Sequence, residues 1–108
     1  MEESAFQAAA EATLGRLYMV IDERLGDDID AELRGGILTL ELEDGRQYVI
    51  NKHAPTKQLW LSSPVSGAAH FDYDEPSRSW RSTRGGPPLA ERLAAELAAA
   101  TGRDIAFD

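Results

Sequence analysis

Between Asp22 and Glu32 the chain carries six carboxylates: Asp22, Glu23, Asp27, Asp28, Asp30 and Glu32. Carboxylates are hard oxygen ligands, suited to Mg²⁺, Ca²⁺, Mn²⁺ and Fe²⁺. No glycine-bearing calcium loop gathers them, and their spacing spreads them along a ridge instead of converging them on a point. The chemistry this favours is weak, hydrated binding of several cations, or docking of a cationic protein patch. A single closed, selective site is not expected.

The ridge breaks local rules. Asp22 and Glu23 fall in the last turn of a helix, where the macrodipole favours cations, and only Arg24 offsets them. In Asp28-Ile29-Asp30-Ala31-Glu32-Leu33 the acids alternate with apolar residues, which reads as a half-buried strand with one acidic face. Next-but-one carboxylates on such a strand lie ~6.6 Å apart and repel by ~0.6 kcal/mol at the dielectric of water. A charged edge that deters aggregation is the structural alternative, but lysine or mixed charge would serve that purpose without the repulsion. Broken local rules concentrate at functional sites.

Other candidates carry less. His70 and Asp72 share a strand face but lack further fixed ligands, so they read as a solvated pair, and His53 lies in a loop. Gly35-Gly36 and Gly85-Gly86 lack a phosphate-loop context, no G-x-S-x-G is present, and no histidine pair has zincin spacing. No catalytic residue is assigned, and an enzyme is not expected. The absence of cysteine excludes disulfides, thiolate metal sites and thiol nucleophiles. A net charge of −8 makes nucleic acid and anionic membranes poor partners, and cations or basic proteins good ones. No apolar run approaches a membrane span and no signal segment is evident near Met1, so the expected compartment is the cytoplasm.

The elements that must position these residues are legible as patterns. The 108 residues read as one domain, 1–108. Ser4-x-x-Gln7 has capping-box spacing, and Phe6, Ala10, Leu14, Leu17, Ile21 and Leu25 form one apolar stripe ending at Gly26 as C′ residue. A hairpin from Gly36 to Lys52 turns at Asp44-Gly45. A two-residue loop there sets Leu40 opposite Val49 and Glu43 opposite Arg46, and puts Asn51 opposite Leu38 on the core side. In the strand Lys57–Ser62, Leu59 and Leu61 face the core, leaving Trp60 on the outer face with Gln58. Ala68 to Tyr73 is a strand with Phe71 and Tyr73 on one face, and Ser79 to Thr83 a last polar strand. Pro87-Pro88 precedes a second helix with the stripe Leu89, Leu93, Leu97 and Ala100, ended by Gly102; Ile105 and Phe107 tuck against the core. The expected class is α+β: a two-layer α–β sandwich, two terminal helices packed on one face of an antiparallel sheet of five to six strands. The other sheet face is open to solvent.

These residues resemble the frataxin family in its bacterial CyaY form. The resemblance rests on Asp22-Glu23-Arg24-Leu25, Asp28-Ile29-Asp30-Ala31-Glu32, Gly35-Gly36-Ile37-Leu38-Thr39, Tyr48-Val49-Ile50-Asn51-Lys52 and especially Pro55-x-x-Gln58-x-Trp60-Leu61-Ser62-Ser63-Pro64. It covers nearly the whole chain. It implies a weakly iron-binding (Fe²⁺/Fe³⁺) adaptor or regulator of iron–sulfur cluster assembly that docks on the cysteine desulfurase and its scaffold protein, with other divalent cations able to substitute. Carried over, Asp22, Glu23, Asp27, Asp28, Asp30 and Glu32 become the metal ridge, and Asn51, Gln58 and Trp60 the partner-binding surface. The expected state is a monomer, with iron-dependent oligomerisation left open. The core-side placement of Asn51 conflicts with its implied role, and the short Gly26-Asp27-Asp28 link implies fewer metals. An iron store or ferroxidase, and a metal-independent acidic docking module, are the alternative readings.

Overall fold

The structure, a computed structural model, describes residues 1–107. Its elements run α1 (Glu3–Leu25), β1 (Ile29–Arg34), β2 (Ile37–Leu42), β3 (Gln47–His53), a 3₁₀ turn (Ala54–Thr56), β4 (Gln58–Ser63), β5 (Gly67–Asp74), β6 (Ser79–Ser82) and α2 (Leu89–Thr101). The strands form one six-stranded antiparallel meander in the order β1 to β6. Both helices cover one face of the sheet. No helix among the described residues is long and apolar enough to cross a membrane.

The core follows from the two periodicities. All six stripe residues of α1 are buried, as are Leu89, Leu93 and Leu97 of α2, against Leu38, Leu40, Leu42, Tyr48, Ile50, Leu59, Leu61 and Phe71 of the sheet. Ala100, expected on the α2 stripe, is exposed, because the stripe has rotated past the sheet by the last turn. Trp80 is the apolar member of the otherwise polar β6. It is buried edge-on to Phe6, and its indole N–H donates to Thr13 Oγ1 at 2.8 Å. Phe107 is buried and Ile105 packs partly against the core.

The helix ends differ from expectation. Glu2 is the N-cap of α1 and gives no side-chain cap; the Ser4 hydroxyl turns to Glu2 instead of closing a box with Gln7. Gly26 is right-handed at φ −61°, not left-handed. A Cβ there would stand 2.4 Å from the Asp22 carbonyl oxygen, so close approach is what demands glycine.

The β2–β3 hairpin corrects the expected register. Its loop has three residues, Glu43, Asp44 and Gly45. The Leu42 N–H donates to the Arg46 carbonyl at 2.8 Å, and the Gly45 N–H to the Leu42 carbonyl at 3.0 Å. Gly45 alone takes positive φ, at 90°, the arrangement of a type I turn with a glycine bulge. The Asp44 carboxylate accepts from the Arg46 backbone N–H at 3.0 Å and from its Nε at 2.7 Å. That backbone hydrogen bond holds the Asp44 carboxyl below its usual range. Arg46 therefore pairs with Asp44 and not Glu43. Leu40 faces Tyr48, Thr39 faces Val49 and Leu38 faces Ile50. A one-residue slip exchanges the two faces of β3, so Tyr48 and Ile50 enter the core.

Candidate metal ridge and docking face

The same slip moves Asn51 to the outer face, where it pairs with Ile37 on one side and Trp60 on the other. The expected conflict over Asn51 disappears. Leu59 and Leu61 are buried and Trp60 is half-buried on the open face.

Trp60 does not stand free. His53 stacks on one side of its ring, with centroids 3.6 Å apart and planes inclined by 12°. His70 stacks on the other, at 4.2 Å and 9°. His70 is the direct cross-strand partner of Trp60, and His53 is its diagonal neighbour across β3. The indole N–H donates to Gln58 Oε1 at 2.9 Å, and Gln58 Nε2 donates to Asp72 Oδ1 at 2.9 Å. Gln58 thus holds the indole edge while the two imidazoles hold its faces. His53 is fixed in turn, its Nδ1 lying 2.8 Å from Thr56 Oγ1. His70 and Asp72, read from the sequence as a solvated pair, each belong to this network instead. The missed signal was register: histidines at positions 53 and 70 share the outer face with Trp60 once the strands are aligned. The result is an aromatic platform with its rotamers locked, flanked by the amides of Asn51 and Gln58.

The candidate metal ridge lies at the β1 edge. Asp22 and Glu23 are exposed at the end of α1; in the turn that follows, Asp27 is exposed and Asp28 half-buried. The register Ile29↔Leu42, Asp30↔Glu41, Glu32↔Thr39 sets a glutamate directly across from Asp30. Asp27, Asp28 and Asp30 line a shallow cleft of about 460 Å³ with Glu41 and Glu43; Asp22, Glu23 and Glu32 lie outside it. Glu41 and Glu43 were missed because only the turn at Gly35-Gly36, both left-handed at φ 58° and 78°, decides which β2 residue meets Asp30. Arg103 Nη1 stands 3.1 Å from Asp28 Oδ2, and Arg34 Nη2 3.5 Å from Glu32 Oε2. Asp22, Glu23, Asp27 and Asp30 have no cationic partner within salt-bridge distance among the described residues. Nor do any three acidic or histidine side chains there gather closely enough to hold one ion. A hard cation fits this donor set only with much of its water retained.

A six-stranded antiparallel meander under two terminal helices, acidic at one edge and aromatic on its open face, defines a class. The chain belongs to the frataxin family: the family model for the frataxin-like domain matches residues 1–103. It is 36% identical over 108 residues to the iron–sulfur cluster assembly protein CyaY of Pseudomonas fluorescens, covering 100% of this chain and 96% of that one. Among solved structures, the frataxin of Psychromonas ingrahamii, a member of the CyaY family, superposes with TM-score 0.88 at 28% identity, covering 100% of this chain and 99% of that one. Trimeric frataxin from Saccharomyces cerevisiae, complexed with ferrous iron, matches with TM-score 0.70 at 36% identity, over 95% of this chain and 88% of that one.

Proposed function

We propose that this protein serves iron–sulfur cluster assembly as an iron-binding adaptor, without itself catalysing a reaction. The carrying observation is the locked Trp60 platform on the open sheet face, remote in sheet order from the carboxylate edge at β1. A flat indole with both faces and its N–H already engaged presents its remaining edge at little entropic cost, as a contact residue should. Asn51, Gln58 and Trp60, with His53 and His70, dock on the cysteine desulfurase and scaffold protein. Asp22, Glu23, Asp27, Asp28, Asp30 and Glu32, extended by Glu41 and Glu43, take Fe²⁺ or Fe³⁺ weakly, as cargo. The name of the Pseudomonas relative and the ferrous complex of the yeast protein support this reading.

The ridge supplies charge as well as ligands. Its field steers a basic partner surface toward the protein, and this contribution falls with salt. The apo protein is a monomer on this reading, and cation binding, by neutralising the ridge, is what would permit copies to associate. Its place is the cytoplasm.

The test is the rate of cluster formation on a reconstituted desulfurase–scaffold pair. The parent should change that rate. Trp60→Ala should abolish the effect with the fold intact. The double variant Asp30→Asn, Glu41→Gln should weaken it most at low salt. A parent without effect on the rate, at concentrations well above those of the pair, contradicts the proposal.

A further inference from the structure

At the edge of the sheet opposite the acidic ridge the charge is reversed. β5 pairs with β6 from Asp74↔Ser79 to Phe71↔Ser82, and the ladder closes where the Thr83 N–H donates to the His70 carbonyl at 2.9 Å. Beyond that bond the strands part, and Ala68 and Ala69 pair with β4 alone. The parting opens a cleft of about 500 Å³ lined by Ala68, Ala69, His70, Ser82, Thr83, Arg84, Gly85 and Arg92. Its charged side chains are the guanidiniums of Arg84 and Arg92; the His70 imidazole is stacked on Trp60 on the open face. No carboxylate lines it, in a chain whose net charge is −8.

Arg92 is held in place before any ligand arrives. Its guanidinium carbon lies 5.6 Å from the centre of the buried Phe71 ring, a cation–π distance. A Cβ on Gly86 would come within 3.3 Å of its Nη2, so the left-handed Gly85-Gly86 turn closes over it. Yet this half-buried group has neither an ion-pair partner nor a hydrogen-bond acceptor among the described residues, and Arg84 has no carboxylate within 4.0 Å. Glu91, its neighbour on α2, lines a different cleft, on the Ile105–Phe107 side. A partly desolvated guanidinium without a counter-charge is costly, and its fork of donors matches two oxygens of one anion. The hydroxyls of Ser82 and Thr83 stand in the same wall.

We propose that this cleft binds a compact, multiply charged oxyanion of the phosphate or small polycarboxylate kind, with Arg92 as the fixed fork and Arg84 closing from solvent. The concavity favours a small free anion over a flat protein surface. The site is independent of cation binding at the β1 edge, and through His70 it borders the Trp60 platform.

The experiment is an NMR titration of the metal-free protein with inorganic phosphate and, separately, with citrate, chloride balancing the ionic strength. Saturable shifts are expected at the amides of Ala68–His70 and Thr83–Gly86 and at Arg92 Nε. Arg92→Gln and Arg84→Gln should each weaken binding by about tenfold, the scale of one charge-assisted hydrogen bond. Arg84 is exposed, so its variant retains the fold even if Arg92→Gln loosens α2; Asp30→Asn should bind as the parent does. Shifts that fail to saturate for both anions, or affinities that both arginine variants retain, overturn the proposal.

Discussion

Asp30 lies directly across the β1–β2 ladder from Glu41, two carboxylates where the pairing would be stabler with opposite charges. Neither has a cationic partner within salt-bridge distance among the described residues. The edge is therefore arranged at a cost in stability, as expected of a surface kept for binding.

Replacing Asp30 with Asn and Glu41 with Gln keeps shape and removes the repulsion. The double variant should melt about 2–5 °C above the parent in metal-free, low-salt buffer. The gain should shrink in high salt as screening takes over. It should also lose the stabilisation that added Mn²⁺ or Ca²⁺ gives the parent by mass action. Thermal unfolding by circular dichroism reads all three. A variant that melts lower than the parent means these carboxylates hold the fold together.

Arg103 reaches back from beyond α2 to Asp28, with side chains 54% and 30% exposed. So exposed a pair adds little stability, below about 1 kcal/mol, but it occupies a ridge oxygen. Arg103→Ala should leave the melting temperature nearly unchanged and tighten divalent-cation binding two- to threefold on an order-of-magnitude Coulomb argument. Titration calorimetry with Co²⁺ or Mn²⁺ checks it, and weaker binding by the variant would show that Arg103 orders the ridge instead of blocking it.

For Trp60→Ala the cost in stability should stay under the ~3–5 kcal/mol of a truncated core tryptophan, since what is lost is its stacking on His53 and His70, one hydrogen bond to Gln58 and part of its area. The counterpart is Trp80, buried against Phe6 and Tyr73, whose replacement by Ala should cost the full amount. Denaturant unfolding of the two variants ranks them, and a ranking in the opposite order would mean the sheet faces were assigned in reverse.

The sheet is tied to α2 by one carboxylate. Glu96 Oε1 accepts from Tyr48 at 3.0 Å and from Ser63 at 2.6 Å, and Oε2 accepts from Ser66 at 2.7 Å. Burial, and then the hydrogen bond to Glu96 and its charge, push the Tyr48 hydroxyl up to about 12. A raised folded-state pKa means the protonated form is the stabilising one. Its contribution is complete below the ordinary value of 10.0 and is lost as pH rises through about 12. Parent stability should therefore fall more steeply than that of Tyr48→Phe between those two values. Parallel curves for the two proteins would rule this linkage out.

Much of the fold was legible because burial writes a period into the chain. The α1 stripe from Phe6 to Leu25 and the orientation of Leu59 and Leu61 against Trp60 both appear in the structure as the patterns require. Register was not legible at the β2–β3 turn. Asp44-Gly45 fits a two-residue loop by sequence, and capture of the Arg46 N–H by the Asp44 side chain tips it to three. That single residue decides whether Asn51 faces the core or Trp60. In the same way, Glu41 joins the ridge, and His53 and His70 the tryptophan, through cross-strand neighbours that no local pattern encodes.

On the proposed function, cations and protein partners take different surfaces of one scaffold. An anaerobic NMR titration of the ¹⁵N-labelled protein, first with Fe²⁺ and then with the desulfurase–scaffold pair, tests that division most directly. Iron should broaden the amides from Asp22 to Glu32 and those of Glu41 and Glu43, at several weak sites, leaving His53, Trp60 and His70 sharp. The protein pair should then perturb Asn51, Gln58 and the Trp60 indole N–H. Tight one-to-one iron binding centred on His70, with the β1 edge undisturbed, would contradict it.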